Sequence, residues 1–148
     1  MSAASKVRLR KATPSDALDV LAWRNDPLTR AMSRSAEEIH PGEHLAWFES
    51  ALGNPALILL IGEADGGKVG MVRFDVGVET EVSINVNPAC RGRGYGYRLL
   101  SQALAQVSGP VVADIRPDNL ASQRIFERAG FRFLALRDGL RRYRYDPG

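Results

Sequence analysis

Glu81-Val82-Ser83-Ile84-Asn85-Val86-Asn87-Pro88-Ala89-Cys90-Arg91-Gly92-Arg93-Gly94-Tyr95-Gly96 is the stretch whose reading decides the fold. Val82, Ile84 and Val86 alternate with Glu81, Ser83 and Asn85, which is the period of a strand. Pro88 closes that strand, because it has no N–H for a ladder. Beyond Gly94, the apolar residues Leu99, Leu100, Ala103, Leu104 and Val107 share one helical face. The turn between is rich in glycine and carries Arg91 and Arg93. Glycines let successive backbone N–H groups converge without Cβ interference. A helix start adds unpaired N–H groups and the positive end of its dipole. Strand, glycine turn and helix together make a socket for an anion, most often a phosphate or pyrophosphate.

Other phosphate motifs fit this stretch poorly. A P-loop needs Lys-Ser/Thr after its second glycine, where this chain has Tyr95-Gly96 after Gly94. A dinucleotide fingerprint G-x-G-x-x-G would put its last glycine at Tyr97, and no βαβ run follows, although Asp114 lies where a ribose-binding acid would. A plain glycine turn explains neither the clustered glycines nor the two arginines.

A second motif lies downstream, Asn119-Leu120-Ala121-Ser122-Gln123-Arg124-Ile125-Phe126-Glu127-Arg128-Ala129-Gly130-Phe131. It is similar to the N-x-x-[AS]-x-x-x-[YF]-x-x-x-G-F pattern of the GNAT superfamily of acyl-CoA-dependent N-acetyltransferases. Arg91-Gly92-Arg93-Gly94-Tyr95-Gly96 matches that superfamily's [QR]-x-x-G-x-[GA] signature, in its usual place after the fourth strand. The resemblance spans about Val7 to Tyr145. It implies an α/β (α+β) GNAT fold: a mixed, mostly antiparallel sheet of about seven strands flanked by helices, with a splay between strands 4 and 5. It also implies acetyl-CoA as the cofactor.

Composition sets compatible bounds. The 148 residues suffice for one domain, 1–148, with a sizeable core. The longest apolar run, Ala56 to Ile61, is strand-sized and far short of a membrane span. Met1 to Lys11 lacks the apolar core of a signal peptide. A single cysteine permits no intrachain disulfide. A cytoplasmic protein is the expectation, monomeric or homodimeric, without membrane partner or metal. Residues 91–148 carry 11 basic and 5 acidic side chains, whereas residues 1–90 carry 9 and 12. The basic half holds the anion socket, which suits a polyanion such as coenzyme A. No helix-turn-helix, zinc or stacking-platform pattern points to nucleic acid.

The remaining elements follow in chain order. Val7 to Lys11 reads as a first strand. Thr13-Pro14-Ser15-Asp16 reads as a helix start, capped by Thr13, with Ala17, Leu18, Val20 and Leu21 facing inward. Helical pieces over Leu28–Met32 and Pro41–Leu52 follow, the second burying Leu45, Phe48 and Leu52. Ala56–Ile61 and Val69–Val76 form a hairpin through Asp65-Gly66-Gly67-Lys68. After the glycine turn, the helix runs to Gly109-Pro110, and Val111–Arg116 is the fifth strand. Asn119 starts a helix that Gly130 ends. Phe131–Leu136 and Leu140–Tyr145 close the chain. The order β-α-α-β-β-β-α-β-α-β-β is consistent with the GNAT fold.

Transfer of an acetyl group to an amine requires a held thioester, a polarised carbonyl, a deprotonated amine and a protonated thiolate. The resemblance assigns the holding to Arg91, Gly92, Arg93, Gly94, Tyr95, Gly96 and Tyr97, with Asn85 and Val86 pairing the pantetheine arm like an added strand. Val86 would also face the thioester carbonyl. Asn119, with Ser122 and Phe126, would line the pantetheine, although Asn119 also suits a helix N-cap. Glu81 matches the acid that the superfamily often uses as base, and Asp114, Glu43 and His44 are further candidates. At position 126 the superfamily usually has a tyrosine acid, and Phe126 has no proton to give. Either Tyr143, Tyr145, Tyr95 or Cys90 substitutes, or the thiolate leaves unaided.

The acceptor side is expected at Trp23-Arg24-Asn25-Asp26-Pro27 and His44-Leu45-Ala46-Trp47-Phe48. The pair is similar to GNAT members that acetylate nucleotide-linked amino sugars, and to the ribosomal-protein and antibiotic acetylating branch. On that reading Trp23, Arg24, Asn25, His44 and Trp47 bind the amine substrate, Arg24 pairing with a phosphate and a tryptophan stacking on a sugar or base. An acyl-CoA sensor without catalysis is the alternative that Phe126 raises.

Overall fold

The computed structural model describes residues 6–147. Seven strands form one sheet: β1 (Arg8–Lys11), β2 (Leu57–Ala64), β3 (Gly67–Asp75), β4 (Thr80–Val86), β5 (Val111–Ile115), β6 (Arg132–Arg137) and β7 (Leu140–Tyr145). Their spatial order is β1-β2-β3-β4-β5-β7-β6. Every neighbouring pair is antiparallel except β4 and β5.

The parallel pair is short. Thr80 sits opposite Val111 and Glu81 opposite Val112, and pairing stops there. β4 nevertheless stays on β3 through Val86, and β5 stays on β7 through Ile115. Each strand keeps its outer partner while the inner edges part, which is the expected splay. Asn87 N–H donates to Val69 O on β3 at 2.8 Å. Backbone groups alternate sides along a strand, so the N–H groups of Ile84 and Val86 point to the open edge.

Helices cover both faces. On one, α4 (Tyr95–Ala103) and α5 (Leu120–Arg128) bury Leu99, Leu100 and Phe126 against Val72, Phe74, Val82, Val111 and Ala113. Full burial of each large side chain is worth about 1.5–3 kcal/mol. Gly62 and Gly70 make the seat for Leu99, because a Cβ on either would lie 2.3 or 2.7 Å from its methyls. On the other face, α1 (Ala17–Arg24) and α3 (Pro41–Leu52) bury Val20, Trp23 and Phe48 against Leu59, Ile61 and Met71. Asp16, fully buried, pins this layer. It accepts from both terminal nitrogens of Arg10 at 2.8 and 2.9 Å and from Thr13 N–H at 2.8 Å, and it pairs with Lys68 at 2.7 Å.

Several boundaries depart from the sequence expectation. The three helical pieces expected between β1 and β2 are present, and Asp26 caps the short α2 (Pro27–Met32), which begins one residue before the expected Leu28. β2 continues to Ala64, paired to β3 through an irregularity at Gly62 and Glu63. α4 stops at Ala103, before Gly109, and tightens into a 3-10 turn over Leu104–Gln106. α3 turns His44, Phe48 and Ala51 inward, while Leu45 is 43% exposed. Leu18 of α1 likewise points out, at 67%.

Candidate functional site

The glycine turn follows β4 through a 3-10 turn over Pro88–Cys90, held by Asn87, whose Oδ1 accepts from Ala89 N–H at 3.0 Å. Gly92 and Gly94 have φ of +77° and +80°, a backbone region costly for other residues. Gly94 is the residue from which α4 starts. Two positive-φ glycines directly before a helix start are the kind of backbone an anion socket requires. Gly96 does a different job. A Cβ there would lie 2.7 Å from Ile125 Cδ1, so it lets α4 approach α5. Tyr97 lies under the Arg128 guanidinium, 4.0 Å from its ring centre, and Arg93 is exposed. Tyr95 is buried, with its hydroxyl on Asp65 at 3.2 Å, so its side chain is occupied and only its backbone is left to face a ligand.

Arg91 does not stand free. Its guanidinium donates to Asp26 and, at 2.9 Å, to Thr29 Oγ1. Arg91 holds the Asp26 carboxyl below the usual carboxylate range, helped by the Thr29 N–H. Asn119 caps α5, its Oδ1 accepting from Ser122 N–H at 3.1 Å, and its Nδ2 donates to Met32 O at 3.4 Å.

β3 and β4 pair Arg73 with Ser83, Met71 with Asn85 and Asp75 with Glu81, so these side chains share the α1/α3 face. Glu81 is half-buried and paired with Arg34 at 3.0 Å. Asp114 is held bidentate by Arg142, at 2.9 Å to each oxygen. That contact keeps its carboxyl below the usual range and occupies both of its oxygens. Arg24 lies 5.1 Å from the Trp47 ring centre, and Arg73 5.0 Å from the same ring. Arg73 is neutralised by Asp75 at 2.7 Å. Arg24 has no ion pair among the described residues, and burial, then the charge of Arg73, lowers its pKa.

Three acceptor-side expectations need correction. Trp23 is buried in the α1/α3 layer and has no face to offer a ligand. His44 is 1% exposed, with Nε2 on Ala17 O at 2.8 Å and a ring packed by Trp47 and Phe48, so it is a helix-packing residue rather than a base or substrate contact. Asn25 exchanges hydrogen bonds with the Ile39 backbone at 2.9 and 2.7 Å and so fastens the α2–α3 loop. Glu43 is exposed in the first turn of α3.

No substitute acid stands out. Phe126 packs edge-on against Phe131 at 5.0 Å. Tyr143 is fully buried, its hydroxyl accepting from Arg141 Nε at 3.1 Å and lying 3.4 Å from Gln123 and Glu127. Tyr145 stacks on Phe131 at 5.4 Å. Cys90 is a half-buried free thiol.

Sequence reading missed Arg34, Arg142 and the Asp26–Arg91 contact. Only Asp26 carried a signal, as an Asn-Asp-Pro helix cap.

Comparison with known proteins agrees with this architecture. Residues 6–132 match the family model described as an acetyltransferase (GNAT) domain. A candidate phosphinothricin acetyltransferase of Bacillus subtilis (strain 168), YwnH, is 28% identical over 145 residues, covering 89% of this chain and 88% of its own. The N-alpha-acetyltransferase RimI of Mycobacterium tuberculosis (strain ATCC 25618 / H37Rv) is 38% identical over 86 residues, 57% of this chain and 51% of its own. The structure of YncA, a candidate acetyltransferase from Salmonella typhimurium with its cofactor acetyl-CoA, is 25% identical with a TM-score of 0.75, covering 96% of this chain and 94% of that one. Family model, relatives and splayed sheet agree: the chain belongs to the GNAT acetyltransferases, enzymes whose acetyl donor is acetyl-CoA.

Proposed function

We propose that this enzyme moves an acetyl group from acetyl-CoA to the primary amine of a small molecule carrying an anionic group, by direct attack in a ternary complex. The carrying observation is the open edge of β4. It presents the Ile84 and Val86 N–H groups to the splay, and the glycine loop lies at its end. That edge fits the extended, amide-bearing pantetheine arm as an added strand. The positive φ of Gly92 and Gly94 fits a pyrophosphate above α4.

Acetyl-CoA supplies a thioester, and the C–N bond forms as its C–S bond breaks. Val86 N–H donates to the carbonyl oxygen as negative charge develops there. Glu81, on the opposite face of the same strand, takes the proton of the attacking amine, directly or through a water. The thiolate leaves without a side-chain acid, a modest penalty for a group with an ordinary thiol pKa near 8.5.

Arg24 on the Trp47 ring supports the anionic acceptor: it is a cation without an ion pair among the described residues, and it shares that ring with Arg73 of β3, the strand paired with the one that carries Glu81. A nucleotide-linked amino sugar and a phosphinothricin-like amino acid both meet that requirement. Phosphinothricin appears in the name of the B. subtilis relative. Peptide N-termini are the second reading, which the name of the M. tuberculosis relative favours.

Free-thiol release from acetyl-CoA tests this with four acceptors: a nucleotide-linked 4-amino sugar, phosphinothricin, an aminoglycoside and a peptide with a free N-terminus. Release that requires either anionic amine supports the proposal, and Arg24→Ala should then raise the KM for that amine alone. Release with the peptide or aminoglycoside replaces the acceptor class. Tight acetyl-CoA binding without release from any acceptor favours the sensor reading.

A further inference from the structure

One short segment, residues 26–34, touches three separate parts of the site. Asp26 and Thr29 hold the Arg91 guanidinium on the glycine loop. Met32 O accepts from Asn119 at the head of α5. Arg34 pairs with Glu81 on β4 at 3.0 Å. Each partner is a group that donor or acceptor would use.

The Asp26–Arg91 contact is the one built to exchange. Asp26 Oδ2 also accepts from Thr29 N–H at 3.1 Å and from Thr29 Oγ1 at 3.3 Å, as the cap of α2. Those bonds do not involve Arg91. Arg91, for its part, uses a single nitrogen, Nη2, for both Asp26 and Thr29. Its side chain is 37% exposed, so the pair is screened and holds weakly. A pyrophosphate offers the guanidinium a more highly charged, bidentate partner.

We propose that Asp26 and the donor's pyrophosphate exchange Arg91 between them, so that donor binding frees segment 26–34 and, through Arg34, uncovers Glu81 for the amine. The inference rests on the reading of the glycine loop as the donor site. Asp26 is then a positioning residue that acts through Arg91. While Arg34 stays on Glu81, its guanidinium fills the place an ammonium would take.

Calorimetric titration of the full chain with coenzyme A, and with pantetheine, which lacks the pyrophosphate, tests the exchange. Asp26→Asn keeps the size and the cap of α2 but removes the charge that competes for Arg91. It should bind coenzyme A about two- to fivefold tighter, the range of an exposed ion pair, with pantetheine unchanged. In the parent protein, coenzyme A should speed amide hydrogen exchange in residues 27–34. Unchanged or weaker coenzyme A binding by Asp26→Asn overturns the inference, as does exchange in 27–34 that coenzyme A leaves unaltered. Failure of the donor-site reading shows separately, as an Arg91→Ala protein that binds coenzyme A as well as the parent does.

Discussion

Gly70→Ala is a small change on β3 that should reach the chemistry on β4. A Cβ at this position would lie 2.6 Å from Asn85 O, 2.7 Å from Leu99 Cδ1 and 3.1 Å from Val86 Cα. Leu99 can yield by rotating, but the other two atoms are backbone. Ordinary contact begins at 3.4 Å, so β4 must move by about 0.8 Å or the helix seat must open. Overpacking of this kind costs about 1–3 kcal/mol. At roughly 2–4 °C per kcal/mol for a chain of this size, Tm should fall by about 2–12 °C. The displaced residue is Val86, whose N–H faces the splay, and a shift near 1 Å at a reacting centre can cost about 100-fold in rate. Thermal unfolding followed by circular dichroism gives the first quantity, and initial rates of thiol release give the second. A Tm within about 1 °C of the parent, with an unchanged kcat, would refute both the tight β3–β4 approach and the role given to Val86.

Four further outcomes follow from three side chains. Asp16→Asn removes a buried carboxylate whose two cations retain Glu63 and Asp19 nearby, so the loss should sit at the low end for a broken buried pair, about 3 kcal/mol, read as a lower urea midpoint. Arg10, then Lys68 and the Thr13 N–H, hold the Asp16 carboxyl well below the usual range against burial; its stabilisation is therefore complete above about pH 4 and declines only as pH falls below that, a slope that Asp16→Asn should lack. Burial lowers the His44 pKa, with Ala17 O opposing and Arg24 adding to the effect, and its buried Nδ1 has no partner among the described residues; stability should therefore fall as pH drops below about 6.5, and the urea midpoints of His44→Phe should lose that slope. Phe126→Tyr should leave kcat nearly unchanged, and a gain near 100-fold would mean that a side-chain acid is needed after all.

What the chain reveals to a reader of its sequence is what local geometry dictates. Gly92 and Gly94 hold positive φ, which glycine adopts without the steric cost other residues bear, so the loop is legible in the letters themselves. Asn119 caps α5 within three residues. Alternation along β4 already separates Glu81 from Val86, the polar face from the buried one. The missing parts depend on contacts that no local pattern encodes. Arg91 meets Asp26 across 65 positions. Arg142 meets Asp114 only because β5 and β7 take one register. Arg34 lies in an irregular loop and belongs to no motif. His44 misled because helical periodicity favoured Leu45 as the inward residue, whereas the Ala17 carbonyl gave the imidazole a buried partner.

An acetyl donor lying along the open edge of β4 would take up that strand's outward N–H groups. Residue-resolved amide hydrogen exchange by NMR, with and without acetyl-CoA, reads this. New protection is expected at the Ile84 and Val86 N–H groups and at the loop amides from Gly92 to Tyr97. The Asn87 N–H, already bonded to Val69 O, should change little. Saturating acetyl-CoA that leaves Ile84 and Val86 exchanging as before would mean that the donor does not lie on this edge.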